Sequence, residues 1–370
     1  MKVLFLYISN DSGHHKASLA IERALTKTGR VETMSVNALN YTNPILEKII
    51  GRTYMGVIRS RPEFWGYLYD NPAIVRRVQK VRELIHKYNT GKLRDLLESF
   101  NPDAVVCTQA FPCGMVADYK KSRDPRIKVY GVLTDYAPHS YWVYSNVDAY
   151  FVPSEETGRR LVQNGIPPER VVETGIPVDE AFKVNKDRHE VLKSLGFCDD
   201  VPTVVIAGGS QGVGPLREAY LSLKRMQIDA RIIAVTGKNK AAHRWFKAEE
   251  KKRGNDAKRL SALSFVDNMA DILEAATVLV SKPGGISSAE ACVKGVPLVI
   301  IDPIPGQESM NADYLLQRGA AIKVDNPANT GVLVEELLYN RWKLDELKKR
   351  AREISKPDSA RDIAEYVLSH

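Results

Sequence analysis

His14 and His15 stand side by side at the end of a short polar stretch, Ser9 to His15, that carries one glycine and precedes a helical pattern. An imidazole titrates near pH ~6.5, so it is the side chain best suited to take a proton from an alcohol at cellular pH. Solvation or helix capping is the commoner fate of a loop histidine. Asp135 and His139, within Thr134-Asp-Tyr-Ala-Pro-His-Ser-Tyr-Trp142, add a second carboxylate and imidazole after a strand-like run. Asp135 can orient a base or hold an acceptor, and Trp142 can form an apolar wall for one. Spacing does not decide between those roles.

Two glycine turns offer a place for a phosphate. In Ser281-Lys-Pro-Gly-Gly-Ile-Ser-Ser-Ala-Glu290, a strand over Ala276 to Val280 leads through Pro283, Gly284 and Gly285 into a helix over Ile286 to Val293. Unpaired N–H groups and the positive end of the helix dipole favour an anion there, and glycine lets it approach the backbone. Glu290, about one turn further in, can accept hydrogen bonds from ribose hydroxyls. Gly208-Gly-Ser-Gln-Gly-Val-Gly214 repeats the device after another strand. Gly208, Gly209, Ser210 and Gln211 are its candidates, with amides to wrap a phosphate and a hydroxyl to donate to one. The loop fits neither the dinucleotide fingerprint nor the P-loop. Gln307, Glu308 and Asn311 follow a sharp proline-glycine turn. Their amide and carboxylate groups can grip the vicinal hydroxyls of a sugar, or cap the helix they begin. Nucleotide and polyol together point to a nucleotide sugar. No Asp-x-Asp occurs, so no metal and no cofactor is indicated, and amides, dipole and basic side chains must stabilise the leaving diphosphate.

The elements that must position these residues alternate. Strands are expected at Lys2 to Ile8, Val31 to Val36, Ala104 to Thr108, Lys128 to Leu133, Ala149 to Val152 and Val171 to Thr174, with helices such as Lys16 to Leu25 and Glu155 to Gln163. A second series follows at Thr203 to Ala207, Arg231 to Val235, Ala262 to Val266, Ala276 to Val280, Leu298 to Ile301 and Ala320 to Val324. Near-continuous apolar strands separated by helices imply parallel sheets covered on both faces. At 370 residues, two domains are expected. They are placed at 1–190 and 191–345, with C-terminal helices over 346–370 that can pack back on the first domain. Residues 41–100 form a helical insertion in which aromatic and aliphatic residues, Trp65 among them, stand beside Arg59, Arg61 and other cations. That mixture suits a helix in a membrane interface, and equally a helical insertion with a solvated basic face.

The totals narrow the class. A net charge of +8 favours anionic partners. No zinc-finger, RNA-binding or basic-heptad pattern supports nucleic acid. Four cysteines without Cys-x-x-Cys spacing indicate free thiols and a cytosolic setting. The N-terminal apolar run is too short for a secretory signal.

Together, the histidine-ending loop at Ser9 to His15, Thr134-Asp-Tyr with His139 and Trp142, Gly175-Ile-Pro177, Gly208-Gly-Ser-Gln-Gly212, Lys282-Pro-Gly-Gly-Ile-Ser287 with Glu290, and Pro305-Gly-Gln-Glu308 with Asn311 resemble glycosyltransferase family 28. The likeness is to its monogalactosyldiacylglycerol synthase and processive diacylglycerol glucosyltransferase branch. It covers nearly the whole chain. It implies an α/β GT-B architecture, two doubly wound Rossmann-like domains facing across a cleft. It also implies metal-independent, inverting transfer from UDP-glucose or UDP-galactose to diacylglycerol at the cytoplasmic face of an anionic membrane. By the resemblance His15 is the base, Pro283 to Ile286 the diphosphate site and Glu290 the ribose ligand. Gln307 and Glu308 then hold the hexose, and Phe265 and Val266 meet uracil. His14 and Ser12 depart from the family's usual glycines, which leaves the orientation of His15 open. A soluble acceptor, or a UDP-hexose sensor without turnover, are the alternative readings.

Overall fold

The computed structural model describes residues 1–10, 12–44, 91–138, 140–197, 201–252 and 260–370. His139, Trp65, Arg59 and Arg61 lie outside them, as does most of the insertion. The chain divides into two units. The first comprises Met1–Glu180, Ile304–Met310 and Lys356–His370, and the second Ala181–Pro303 and Asn311–Ser355.

The sheet of the first unit contains β1 (Lys2–Tyr7), β2 (Glu32–Asn37), β3 (Ala104–Cys107), β4 (Lys128–Val132), β5 (Ala149–Val152) and β6 (Val171–Glu173). Their order is β2-β1-β3-β4-β5-β6, and every pairing is parallel. Side-chain alternation sends Val3 and Phe5 to one face and Leu4 and Leu6 to the other, and both faces are buried. On the first face lie Ile21 and Leu25 of helix Gly13–Thr26, joined by Ile363 and Val367 of the C-terminal helix Ser359–Ser369. The opposite face is covered by Leu93, Leu96 and Leu97 of helical residues 91–100, and by Val116 of helix Ala110–Ser122.

In the second unit, β7 (Thr203–Ala207), β8 (Arg231–Val235), β9 (Leu260–Leu263), β10 (Val278–Ser281), β11 (Leu298–Ile301) and β12 (Ala321–Val324) run in the order β12-β11-β10-β7-β8-β9. All are parallel. Val204, Ile206, Ile232, Val280 and Val299 face Ala219 and Tyr220 of helix Leu216–Leu223, with Phe246 and Val334 in the same cluster. The chain leaves β7 towards β8 on one side and later adds β10 on the other, so the strand order reverses between β7 and β10. Crevices at such a switch point, outside the carboxyl ends of the strands, are where open α/β sheets take their ligands.

Several element ends shift by one or two residues, and two larger shifts bear on the candidate site. Helix Gly13–Thr26 begins three residues before Lys16, so His14 and His15 belong to its first turn and not to a loop. Ser12 is its N-cap, with the hydroxyl accepting from His15 N–H. The strand expected over Ala262 to Val266 is instead Leu260–Leu263. Its ladder stops where the carbonyl of Leu263 takes both the N–H and the hydroxyl of Thr236, each at 2.9 Å. Phe265 and Val266 therefore lie past the strand end.

Candidate active site

In the first unit β1 ends in a turn to which the Ser12 hydroxyl is tied. Ser12 Oγ donates to the carbonyl of Ser9 at 2.7 Å while accepting from His15 N at 3.2 Å. Ser9 takes the left-handed conformation, φ 64°, that this turn demands. The two histidines then part, since neighbours on a helix point about 100° apart. His15 stacks on Tyr7, ring centroids 4.1 Å apart. His14 turns inward, with Nδ1 2.9 Å from Thr134 Oγ1. Burial drives its pKa down to about 4, against the upward pull of a hydrogen bond to the Thr108 backbone. A ring that donates to a carbonyl and accepts from a hydroxyl is satisfied as neutral imidazole.

A small polar pocket lies at the carboxyl edge of β3 and β4, lined by His14, Gln109, Thr134, Asp135, Trp142 and Gln307. Trp142 is buried at 4% exposure and belongs to the unit's core. Asp135 accepts a hydrogen bond from Gln307 Nε2, supplied by the Ile304–Met310 segment that groups with this unit. Glu308 Oε2 accepts from the N–H of Ile304 at 2.8 Å, which closes the proline-glycine turn on the start of helix Gln307–Gln317.

In the second unit β7 and β10 are neighbours in register, Ala207 beside Ser281, so the two glycine turns leave the sheet side by side. Ser281 Oγ donates to the carbonyl of Ala207 at 2.9 Å. The first turn must be glycine. At Gly212, φ 61°, a Cβ would stand 1.9 Å from the carbonyl oxygen of Thr236. Ser210 and Gly212 are tied to the end of β8, the former by Lys238 N–H at 2.9 Å and the latter by Asn239 Nδ2 at 2.9 Å. The second turn enters helix Gly285–Lys294, whose N-cap Gly284 has no side chain to spend on the first amides. A Cβ at Gly284 would meet nothing within 4 Å, so the space beside the turn is open. Orphan N–H groups facing open space at a helix start make an anion site. Asn311, fully buried, donates from Nδ2 to the carbonyl of Pro283 at 3.0 Å and pins the turn. Glu290 is buried on the same helix, and the stem of Lys282 runs beside Gly214. Phe265 lies under the Lys238 ammonium, 5.8 Å from nitrogen to ring centroid.

The first unit thus brings His14, Asp135 and Gln307 to one pocket, with His15 stacked on Tyr7 and Glu308 bonded to Ile304 N–H instead, and the second carries the Gly208 to Gln211 loop, Pro283 to Ile286, Glu290 and Asn311. In the sequence, Thr134 and Lys282 stand out only as members of motifs, without a role, and Gln109 is not singled out. The signal was present, because each directly follows a strand or its first loop residue at a carboxyl edge. Buried Cys107 and Cys292 have thiol pKa values pushed up by desolvation, Cys292 to about 12, so neither offers a nucleophile. Among the described residues, no group of three or more histidine, cysteine or carboxylate side chains is arranged to hold a metal ion. No described helix is long and apolar enough to cross a membrane.

Comparison with known proteins agrees with the two-sheet fold. Residues 14–178 match the monogalactosyldiacylglycerol (MGDG) synthase model, and residues 203–367 match the glycosyltransferase family 28 C-terminal domain. The processive diacylglycerol beta-glucosyltransferase of Bacillus mycoides is 28% identical over 374 aligned residues, covering 100% of this chain and 93% of that one. Its Bacillus cereus counterpart is 27% identical over 371, with the same coverage. Among solved structures, Acinetobacter baumannii MurG superposes with a TM-score of 0.65 at 16% identity, covering 100% of both chains. A Staphylococcus aureus MnaA–UDP structure gives 0.61 at 14% identity, covering 100% of this chain and 95% of that one. The fold is α/β of the GT-B class. With two domain models matched in tandem across the strands and turns described above, the chain belongs to glycosyltransferase family 28, in the branch whose N-terminal domain is of the monogalactosyldiacylglycerol synthase type.

Proposed function

We propose that this glycosyltransferase moves a hexose from UDP-glucose or UDP-galactose to the hydroxyl of diacylglycerol, with inversion and without a metal or other cofactor, at the cytoplasmic face of the membrane. The observation that carries the donor assignment is the pair of glycine turns at the β7/β10 switch point. The diphosphate sits against the amides of Gly208 to Gln211 and the start of helix Gly285–Lys294, and Glu290 takes the ribose hydroxyls. Phe265 and Val266 flank the base. Gln307 and Glu308 hold the hexose. His15 takes the proton from the diacylglycerol hydroxyl, whose oxygen attacks the anomeric carbon from the face opposite the leaving group. The bond from that carbon to the UDP oxygen breaks, and its electron pair leaves on UDP, stabilised by amides and dipole. The acceptor assignment rests on the curated relatives, named diacylglycerol glucosyltransferases. Trp65, Arg59 and Arg61 of the insertion are its proposed membrane contacts, and Trp142 borders the acceptor side.

The test is mass analysis of lipids after the purified protein meets each UDP-hexose and diacylglycerol vesicles, with EDTA present. Hexosyl-diacylglycerol and stoichiometric UDP are expected. His15→Ala should lose about 10²–10⁴-fold in kcat, the usual worth of a general base, and still bind UDP. Absence of glycolipid from the wild-type protein, or undiminished turnover by the variant, would sink the reading.

A further inference from the structure

We infer that Asp135 is a positioning residue for the donor sugar, turning the Gln307 amide so that its carbonyl oxygen, and not its NH2 group, is offered to one hexose hydroxyl. The inference rests on the proposed reading of Gln307 as a hexose ligand. A glutamine amide has a donor end and an acceptor end of nearly the same shape, and its last torsion is a broad, soft one. Unanchored, it can bond a sugar hydroxyl either way and reads nothing about it. An ionised carboxylate only accepts, so it selects the NH2 end, and such a charge-assisted bond is roughly twice as strong as a neutral one. Gln307 Nε2 donates to Asp135 Oδ2, which leaves Oε1 at the other end of a half-buried side chain.

Both ends of this link are braced. Asp135 stands between two buried, hydrogen-bonded neighbours. Thr134 is held by His14 Nδ1 at 2.9 Å, and the carbonyl of Tyr136 accepts from Thr157 Oγ1 at 2.6 Å. On the other side, the backbone around Gln307 is fixed by Ser309 N–H to the carbonyl of Ile304 and Met310 N–H to that of Gly306, both at 3.1 Å. The carboxylate therefore meets an amide carried on a hydrogen-bonded turn. The hydroxyl read by Gln307 must then act as a donor, and a fluorine in its place cannot.

Calorimetric titration distinguishes the outcomes, using UDP, UDP-glucose and UDP-glucose analogues with fluorine in place of one hydroxyl at a time. The wild-type protein should reject one analogue by about tenfold or more, as a site built around a paired hydroxyl does. Asp135→Ala should relax that rejection several-fold while leaving UDP affinity unchanged, so a merely unfolded variant is recognised at once. Asp135→Asn, which keeps the shape but no longer selects one end of the amide, should relax it too. Gln307→Ala should abolish it, and adding Asp135→Ala should change nothing further. Full rejection retained in both Asp135 variants, or effects of Asp135→Ala and Gln307→Ala that simply add, would overturn the inference. A wild-type protein that binds UDP-glucose no tighter than UDP overturns instead the hexose-ligand reading beneath it.

Discussion

Two histidines one residue apart have different chemistry because a helix turns between them. His15 keeps a ring face on Tyr7, while His14 is a buried strut between the ends of β3 and β4. The folded pKa of His14 lies below its ordinary value, about 4 against 6.5. Between those values the unfolded chain binds the proton and the folded one does not. Stability is therefore complete above the higher value and is lost as pH falls towards the lower. In thermal melts from about pH 7 to about pH 5, the wild-type protein should lose about 2 kcal/mol that His14→Gln does not. Parallel pH curves would mean that His14 is not buried neutral. Sequence alone could not divide these two residues, since the partners that separate them, Tyr7, Thr108 and Thr134, arrive through three different strands.

At the scale of elements, local signals were read well where they are local in cause. The strands Thr203–Ala207, Arg231–Val235 and Leu298–Ile301 and the helix Glu155–Gln163 stand where their apolar runs and cap predict. β9 ends before its apolar run does, because pairing with β8 ends the ladder at Leu263, regardless of the apolar residues that follow. Helix Gly13–Thr26 starts before its apolar periodicity does. Its signal is the single hydroxyl of Ser12, bonded to His15 N–H on one side and to the Ser9 carbonyl on the other. Ser12→Ala should cost about 1 kcal/mol, and Ser12→Gly only a few tenths, because glycine tolerates the N-cap conformation without the bond. Denaturant unfolding of the two variants measures this, and equal losses would remove the cap from the account. The result also explains how a serine stands where the family resemblance leads one to expect glycine.

At the scale of the molecule, the formal charge of +8 acts through the whole surface. If the proposed membrane contact holds, co-sedimentation with vesicles containing phosphatidylglycerol should be strong at low salt and fall sharply by ~0.5 M, where the Debye length shrinks to a few ångströms. Binding that is indifferent to both salt and anionic lipid would count against an electrostatic contact. The sequence by itself determined the α/β class, the succession of strand, glycine turn and helix, and the family, because hydrophobic period and turn chemistry are written within a few residues. Only the tertiary structure decided which turns share an edge. Residues 74 positions apart, Ala207 and Ser281, become neighbours where the strand order reverses. Asp135 and Gln307, 172 apart, become a hydrogen-bonded pair. Such meetings depend on how two covered faces of a sheet are filled, and no local pattern encodes that.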